Sequence, residues 1–266
     1  MKKIMVFIPM YNCEKQITRV LEQFDAKISS YIDKVIIVNN RSTDNSENVV
    51  LNYKNVNLNR KIILLRNKEN YNLGGSHKVA FDYAITNNYD YVIVLHGDDQ
   101  GDIKDLLPFL EKKEYEKYDA LLGSRFSKNS KLKGYSMFRI VGNLVFNFIF
   151  SICLRKKIKD LGAGLNMYNV KSLKSKYYIK YPDKLTFNCY MLLAVKCYKQ
   201  NIKFFPISWR EDDQISNVKM FSQAFATLKI PINYLFKGKK YLEKEHRDKI
   251  ISSYEAVVVN KRSKIK

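Results

Sequence analysis

The chain has 266 residues, 46% hydrophobic and 27% charged, a balance that suits a globular protein and excludes a disordered tail, a collagen-like repeat and a disulfide-stapled miniprotein. Lys and Arg outnumber Asp and Glu by 47 to 26, a formal net charge of +21, so the surface attracts polyanions such as nucleic acid, anionic lipid or phosphorylated substrates. The four cysteines, Cys13, Cys153, Cys189 and Cys197, form no CxxC pair, which suits reduced thiols and argues against a structural zinc site.

Residues 4–8 form the first apolar run, too short for the apolar centre of an export signal and without a small-residue cleavage site behind it. Residues 14–26 read as a helix, 35–38 as a buried strand, and a second helix begins near residue 43. The pattern repeats with a strand at 62–65, a helix at 76–86 and a strand at 91–95. Short apolar runs alternating with helical periodicity predict parallel strands joined by right-handed crossovers, an open α/β sheet. Such sheets bind ligands at the carboxyl ends of their strands. Three of those ends are polar: Tyr11-Asn12, the segment Asn39-Asn40-Arg41-Ser42-Thr43-Asp44, and His96-Gly97-Asp98-Asp99-Gln100.

Asp102 is placed to cap a helix over 103–110. Further on, a strand at 119–122 leads into Gly123-Ser124-Arg125-Phe126, followed by a flexible loop at 127–131, a helix over 136–154 and a strand at 163–168. A helix at 187–199 and a strand at 203–207 precede a charged tail. These assignments give an α/β domain over 1–236 and a basic, solvated helical tail over 237–266. In the 136–154 helix, Arg139, Asn143, Asn147, Ser151 and Arg155 recur every four residues among apolar neighbours. Its uncharged stretch, 140–154, falls short of the roughly 20 apolar residues of a spanning helix. Two readings stay open: a core helix beneath the site, or one dipping into a membrane interface.

Asp98 and Gln100, with Asp99, concentrate oxygen donors of the kind that hold Mg²⁺ or Mn²⁺. His96 lies two residues before Asp98, on the same side of an extended segment, and an imidazole donor shifts preference towards Mn²⁺. Arg125 and Arg139 offer guanidinium forks that match phosphate oxygens. A hydroxyl acceptor would need a carboxylate base, for which Asp160 and Asp183 are candidates. Near the end of the domain, Arg210 opens a polar loop whose acidic run, Glu211-Asp212-Asp213, reads as solvated.

Pro9-Met10-Tyr11-Asn12-Cys13-Glu14, the 39–44 segment, Asn72-Leu73-Gly74-Gly75-Ser76 and His96–Gln100 together resemble the ordered motifs of family 2 glycosyltransferases. Gly123-Ser124-Arg125-Phe126, then Arg139, then Asp160-Leu161-Gly162-Ala163-Gly164 are similar to the polyprenol-phosphate mannosyltransferase branch, and the likeness runs from residue 4 to about 219. The resemblance implies a GT-A fold, a mostly parallel sheet flanked by helices, with a nucleotide-sugar donor and a divalent metal, Mg²⁺ or Mn²⁺. It implies that Pro9, Tyr11, Glu14 and Asn39 lie near the base and ribose, and Gly74 and Lys78 near the donor. Asp98 would hold the metal, with Gln100 assisting and His96 standing where the family usually has its first Asp. Asn39 replaces a carboxylate, so its amide oxygen would accept the base N–H more weakly.

Arg125 and Arg139 would hold an acceptor phosphate, and Arg210, Ser216 and Lys219 would belong to a mobile loop closing over the donor. The expected activity is inverting transfer of a sugar to a polyprenyl phosphate or a growing surface glycan. The expected place is the cytoplasm, with peripheral contact at the inner face of the membrane and no nucleic-acid partner. Two other classes compete. A basic polyanion- or nucleic-acid-binding protein fits the charge, but no binding motif or basic–aromatic stripe is present. A nucleotidyltransferase would need a Gly-rich basic loop after the first strand, and Pro9-Met10-Tyr11-Asn12-Cys13 is not one.

Overall fold

The alternation of the first strand, β1 (Ile4–Met10), sends Met5 and Phe7 into one hydrophobic core and Ile4, Val6, Ile8 and Met10 into another. A strand so divided must be covered on both faces. A computed structural model, which describes residues 2–58, 60–211 and 220–259, places it inside an eight-stranded sheet. The first half alternates as expected: α1 (Ile17–Glu22), α2 (Ala26–Tyr31), β2 (Lys34–Asn39), α3 (Ser46–Asn52), β3 (Ile62–Asn67), α4 (Asn72–Thr86) and β4 (Tyr91–Leu95). The second half contains α5 (Leu107–Glu111), β5 (Ala120–Ser124), β6 (Lys131–Lys133), α6 (Met137–Leu154), β7 (Leu165–Asn169), α7 (Val170–Leu173) and α8 (Phe187–Cys197). It closes with β8 (Ile202–Pro206), β9 (Ser208–Arg210), α9 (Met220–Lys237), α10 (Lys239–Leu242) and β10 (Ala256–Val258).

The strand order is β10-β3-β2-β1-β4-β7-β5-β8. Strands β3, β2, β1 and β4 run parallel, as do β5 and β8, whereas β7 is antiparallel to both its neighbours and β10 to β3. One core holds α4 and α8 against the sheet, and the other holds α1 and α2. The parallel block therefore brings the carboxyl ends of β1, β2 and β4 side by side. Gly97 lets two of them meet: a Cβ there would stand 2.8 Å from the Pro9 carbonyl oxygen, which accepts the Gly97 N–H.

Two expectations need correction, and one of two open readings falls away. The helix over 14–26 is two helices, because Asp25 is extended and its carboxylate accepts the Ile28 N–H as an N-cap, which starts α2 afresh. The tail is not a separate solvated helix from residue 237. β10 joins the sheet edge beside β3, and Leu242 and Val259 are buried. Of the two readings left open for the 136–154 helix, the core one is excluded for α6. Its polar stripe faces the protein: Asn143 donates to the Tyr135 hydroxyl, Asn147 to the Lys159 carbonyl, and Ser151 accepts the Ile158 N–H. Its apolar side faces solvent.

Candidate active site

The turns after β1 and β2 are laced together. Asn12 sits in the left-handed region at φ 52°, and its side-chain oxygen accepts the Thr43 N–H while its own N–H donates to the Ser42 hydroxyl. Glu14 donates its N–H to Asp44 and accepts the Asn45 N–H, and Cys13 donates its N–H to the Ser46 hydroxyl. This lacing explains the spacing of polar residues in both motifs. It builds one wall of an open cleft of about 520 Å³ lined by Pro9, Tyr11, Asn40, Asn72, His96 and Asp98, among others. Pro9 and Tyr11 thus line the cleft, whereas Glu14 bonds into the laced turns.

Beyond β4 the chain presents His96 and Asp98 to the cleft and turns Asp99 away. Asp99 has φ 62° and is buried under Arg19, Gln23 and Arg210. Burial pushes the Asp98 carboxyl up to about 6, and the Glu211 carboxylate adds to that push. His96 packs its ring against Gly164, where a Cβ would approach the ring to 2.9 Å. Burial, helped by the Arg125 charge, pulls its imidazole down to about 4, so it is neutral. Its Nε2 is buried without a hydrogen-bond partner.

Two cations follow. Arg125 grips Asp160 with both arms, Nε to Oδ2 at 2.8 Å and Nη2 to Oδ1 at 2.7 Å, and also donates to the Tyr135 hydroxyl. Burial alone would depress the guanidinium, but the Asp160 carboxylate overrides it and holds the group above its ordinary value. Arg139, on the first turn of α6, donates to Glu211 at 2.6 Å, and Glu211 reaches the Gln100 amide at 3.5 Å. Glu211 is therefore not solvated. Sequence reasoning missed it because its two partners lie 72 and 111 residues away and leave no local pattern.

The sequence model described as Glycosyl transferase family 2 matches residues 5–175, which include every strand end that forms the cleft. The chain belongs to glycosyl transferase family 2. A Methanococcus voltae protein named UDP-N-acetylglucosamine–dolichyl-phosphate N-acetylglucosaminyltransferase is 25% identical over 183 residues, 65% of this chain and 72% of that one. Among solved structures, Staphylococcus aureus TarS 1–349 in complex with UDP-GlcNAc shares 20% identity at a TM-score of 0.55, covering 86% of this chain. The chain spans 66% of that TarS structure's length. Mannosyl-3-phosphoglycerate synthase from Rubrobacter xylanophilus shares 11% identity at a TM-score of 0.61, covering 94% of this chain and 79% of its own. These structural likenesses show the fold, the GT-A arrangement expected from the sequence.

In this family 2 glycosyltransferase several expected site residues lie off the cleft. Asn39 is buried at the end of β2. Its oxygen accepts the Ser42 N–H, and its amide donates to Glu47, which Arg66 clamps with two hydrogen bonds. Gly74 serves a close approach, since its N–H donates to the Asp183 carbonyl at 2.6 Å and a Cβ would stand 2.5 Å from the Pro182 oxygen. Lys78 is fully buried beneath that loop, donating to the Tyr181 carbonyl, Asp183 and the Tyr254 hydroxyl. Asp183 is thereby tied to Lys78 and Tyr254. Asp160 is as fully engaged, accepting the Arg125 and Gly162 N–H groups besides the guanidinium. Neither carboxylate stands ready as a base. Arg210 binds Asp99 and the Asp99 carbonyl. The expected loop residues Ser216 and Lys219, and Asp212 and Asp213, lie outside the described residues.

Among the described residues no three His, Cys, Asp or Glu side chains converge into a self-contained metal cage. Asp98 and His96, whose Nε2 has no partner, nevertheless line the same cleft. A donor set that small suits a cation that completes its shell with diphosphate oxygens and water.

Proposed function

We propose that this glycosyltransferase moves a sugar from a UDP-activated donor onto a polyprenyl phosphate. The observation that carries the acceptor is the commitment of both candidate bases: Asp160 is locked to Arg125, and Asp183 to Lys78 and Tyr254. A sugar hydroxyl needs a base to take its proton. A phosphate oxygen, already ionised at neutral pH, does not. The same pairing neutralises Arg125, so Arg139, 32% exposed, is the cation that meets the phosphate once it leaves Glu211. The names of the Methanococcus voltae relative and of the TarS complex support a uridine nucleotide and a phosphorylated lipid.

On this reading the nucleotide lies against Pro9 and Tyr11 along the laced turns. An acceptor phosphate oxygen attacks the anomeric carbon from the side opposite the diphosphate. The bond to the diphosphate oxygen breaks with its electron pair, and the configuration inverts. Asp98 and His96, with Gln100 nearby, would hold a divalent cation, Mg²⁺ or Mn²⁺, whose chemistry is to stabilise the negative charge growing on the leaving diphosphate. Arg210 lies beside that position and supplies a further cation once it leaves Asp99. A lipid acceptor places the enzyme at the inner face of the membrane.

A thermal-shift panel of nucleoside diphosphates with Mg²⁺, Mn²⁺ or chelator tests the donor half. A nucleotide at a hundred times its dissociation constant adds about 2.7 kcal/mol of stability. Stabilisation by UDP above the other nucleotides supports the reading, and no response to any nucleotide overturns it.

A further inference from the structure

The outward face of α6 inverts the usual rule for a surface helix. Met137, Phe138, Val141, Val145, Phe148 and Ile152 are all exposed, Met137 at 71% and Phe148 at 66%. Among the described residues α6 is the one helix long and apolar enough to cross a membrane, yet its polar stripe is bonded into the protein, which fixes it flat on the domain surface. α9 packs against it and adds exposed Phe225, Leu235 and Phe236. A contiguous apolar patch of this extent on a soluble surface marks an interaction site.

The flank of this face carries the opposite chemistry. A groove of about 690 Å³ runs between α6 and the segment that follows it. Phe148 and Ile152 line it together with Lys128, Arg155 and Lys157. At its floor Asn147 is 96% buried. Its amide nitrogen donates to the Lys159 carbonyl, which fixes the orientation of the group and leaves its oxygen without a partner. The Ser127 hydroxyl lines the same groove and is likewise unpartnered. A buried acceptor without a donor is costly, and a ligand hydroxyl would satisfy it.

We propose that the α6 face is the docking surface for an anionic lipid bilayer, with the groove taking one phospholipid head whose phosphate meets Arg155 and Lys157 and whose hydroxyl meets Asn147. The apolar residues enter the acyl boundary while the basic rim stays at headgroup level, as interfacial helices do. The net charge of +21 favours the same surface. Arg139 opens this helix, so docking sets the candidate acceptor site at the membrane surface.

Flotation with vesicles of phosphatidylcholine, alone or mixed with phosphatidylglycerol, tests this without nucleotide or acceptor, so its failure is distinct from failure of the transferase reading. The expected result is salt-sensitive binding to the mixed vesicles only. One kcal/mol per basic residue is about fivefold, so R155Q/K157Q lowers binding about 25-fold. V145D/F148D abolishes it, while far-UV melting shows both variants folded, since all four residues are exposed. Two results would overturn the proposal: no vesicle binding, or equal binding to neutral vesicles. So would a dimer in sedimentation that V145D/F148D splits, which would assign the face to a second copy of the chain.

Discussion

The family resemblance casts both Arg125 and Arg139 as phosphate cations, but their removal has very different consequences for the fold. Arg125 and Asp160 are 9% and 1% exposed and share a bidentate contact, whereas Arg139 and Glu211 are 32% and 16% exposed. Truncating Arg125 to Ala leaves the Asp160 carboxylate buried with only two backbone N–H groups, a loss of about 3–5 kcal/mol. At roughly 2 °C per kcal/mol for a chain of this size, the melting temperature falls by about 6–10 °C. The R139A change removes a half-open ion pair worth about 0–1 kcal/mol, and its melting temperature moves by less than about 2 °C. Replacing both buried charges with apolar groups, as in R125M/D160L, recovers most of the loss, because no unpaired charge remains. Differential scanning fluorimetry of the three variants decides the matter. An R125A melting temperature within about 2 °C of wild type would refute the argument.

Two further predictions concern neighbouring groups. The Glu211→Gln change releases Arg139 from its ion pair, so calorimetric affinity for a short-chain polyprenyl phosphate rises by up to about fivefold, and unchanged or weaker binding contradicts this. Burial pulls Lys78 from its ordinary 10.5 down to about 8, although Asp183 opposes the shift. Between those values the unfolded chain binds more protons at this site than the folded one, so the Lys78 contribution grows more favourable as pH rises from 8 to 10.5. Wild type therefore gains on K78M by an amount of order 3 kcal/mol across that window. Paired melts at each pH measure it, and a flat difference contradicts it.

The cleft was legible in the sequence because its residues are local to strand ends. Tyr11, Asn12 and Glu14, the 39–44 turn, and His96 with Asp98 each follow an apolar run that fixes where the strand stops. Arg125 and Asp160 were legible as residue types, but their mutual grip spans 35 positions and gives no periodic signal. Lys78 illustrates the limit more sharply. Its helix was foreseen, but its burial depends on Asp183 and Tyr254, 105 and 176 residues away. The outward apolar face of α6 was hidden for another reason. Periodicity locates a polar stripe and cannot say which side meets the protein. The break at Asp25 was readable, since an Asp before a fresh apolar period is an N-cap signal.

The central claim is that the acceptor is a phosphate and needs no protein base. The direct measurement is transfer of labelled sugar from UDP-sugar donors to polyprenyl phosphate and, in parallel, to the unphosphorylated polyprenol. The account predicts a lipid-linked sugar with the phosphate acceptor only, in an amount that R139A cuts sharply while the UDP-induced thermal shift persists. Transfer to the free alcohol at an equal rate, or to a glycan hydroxyl alone, would contradict it.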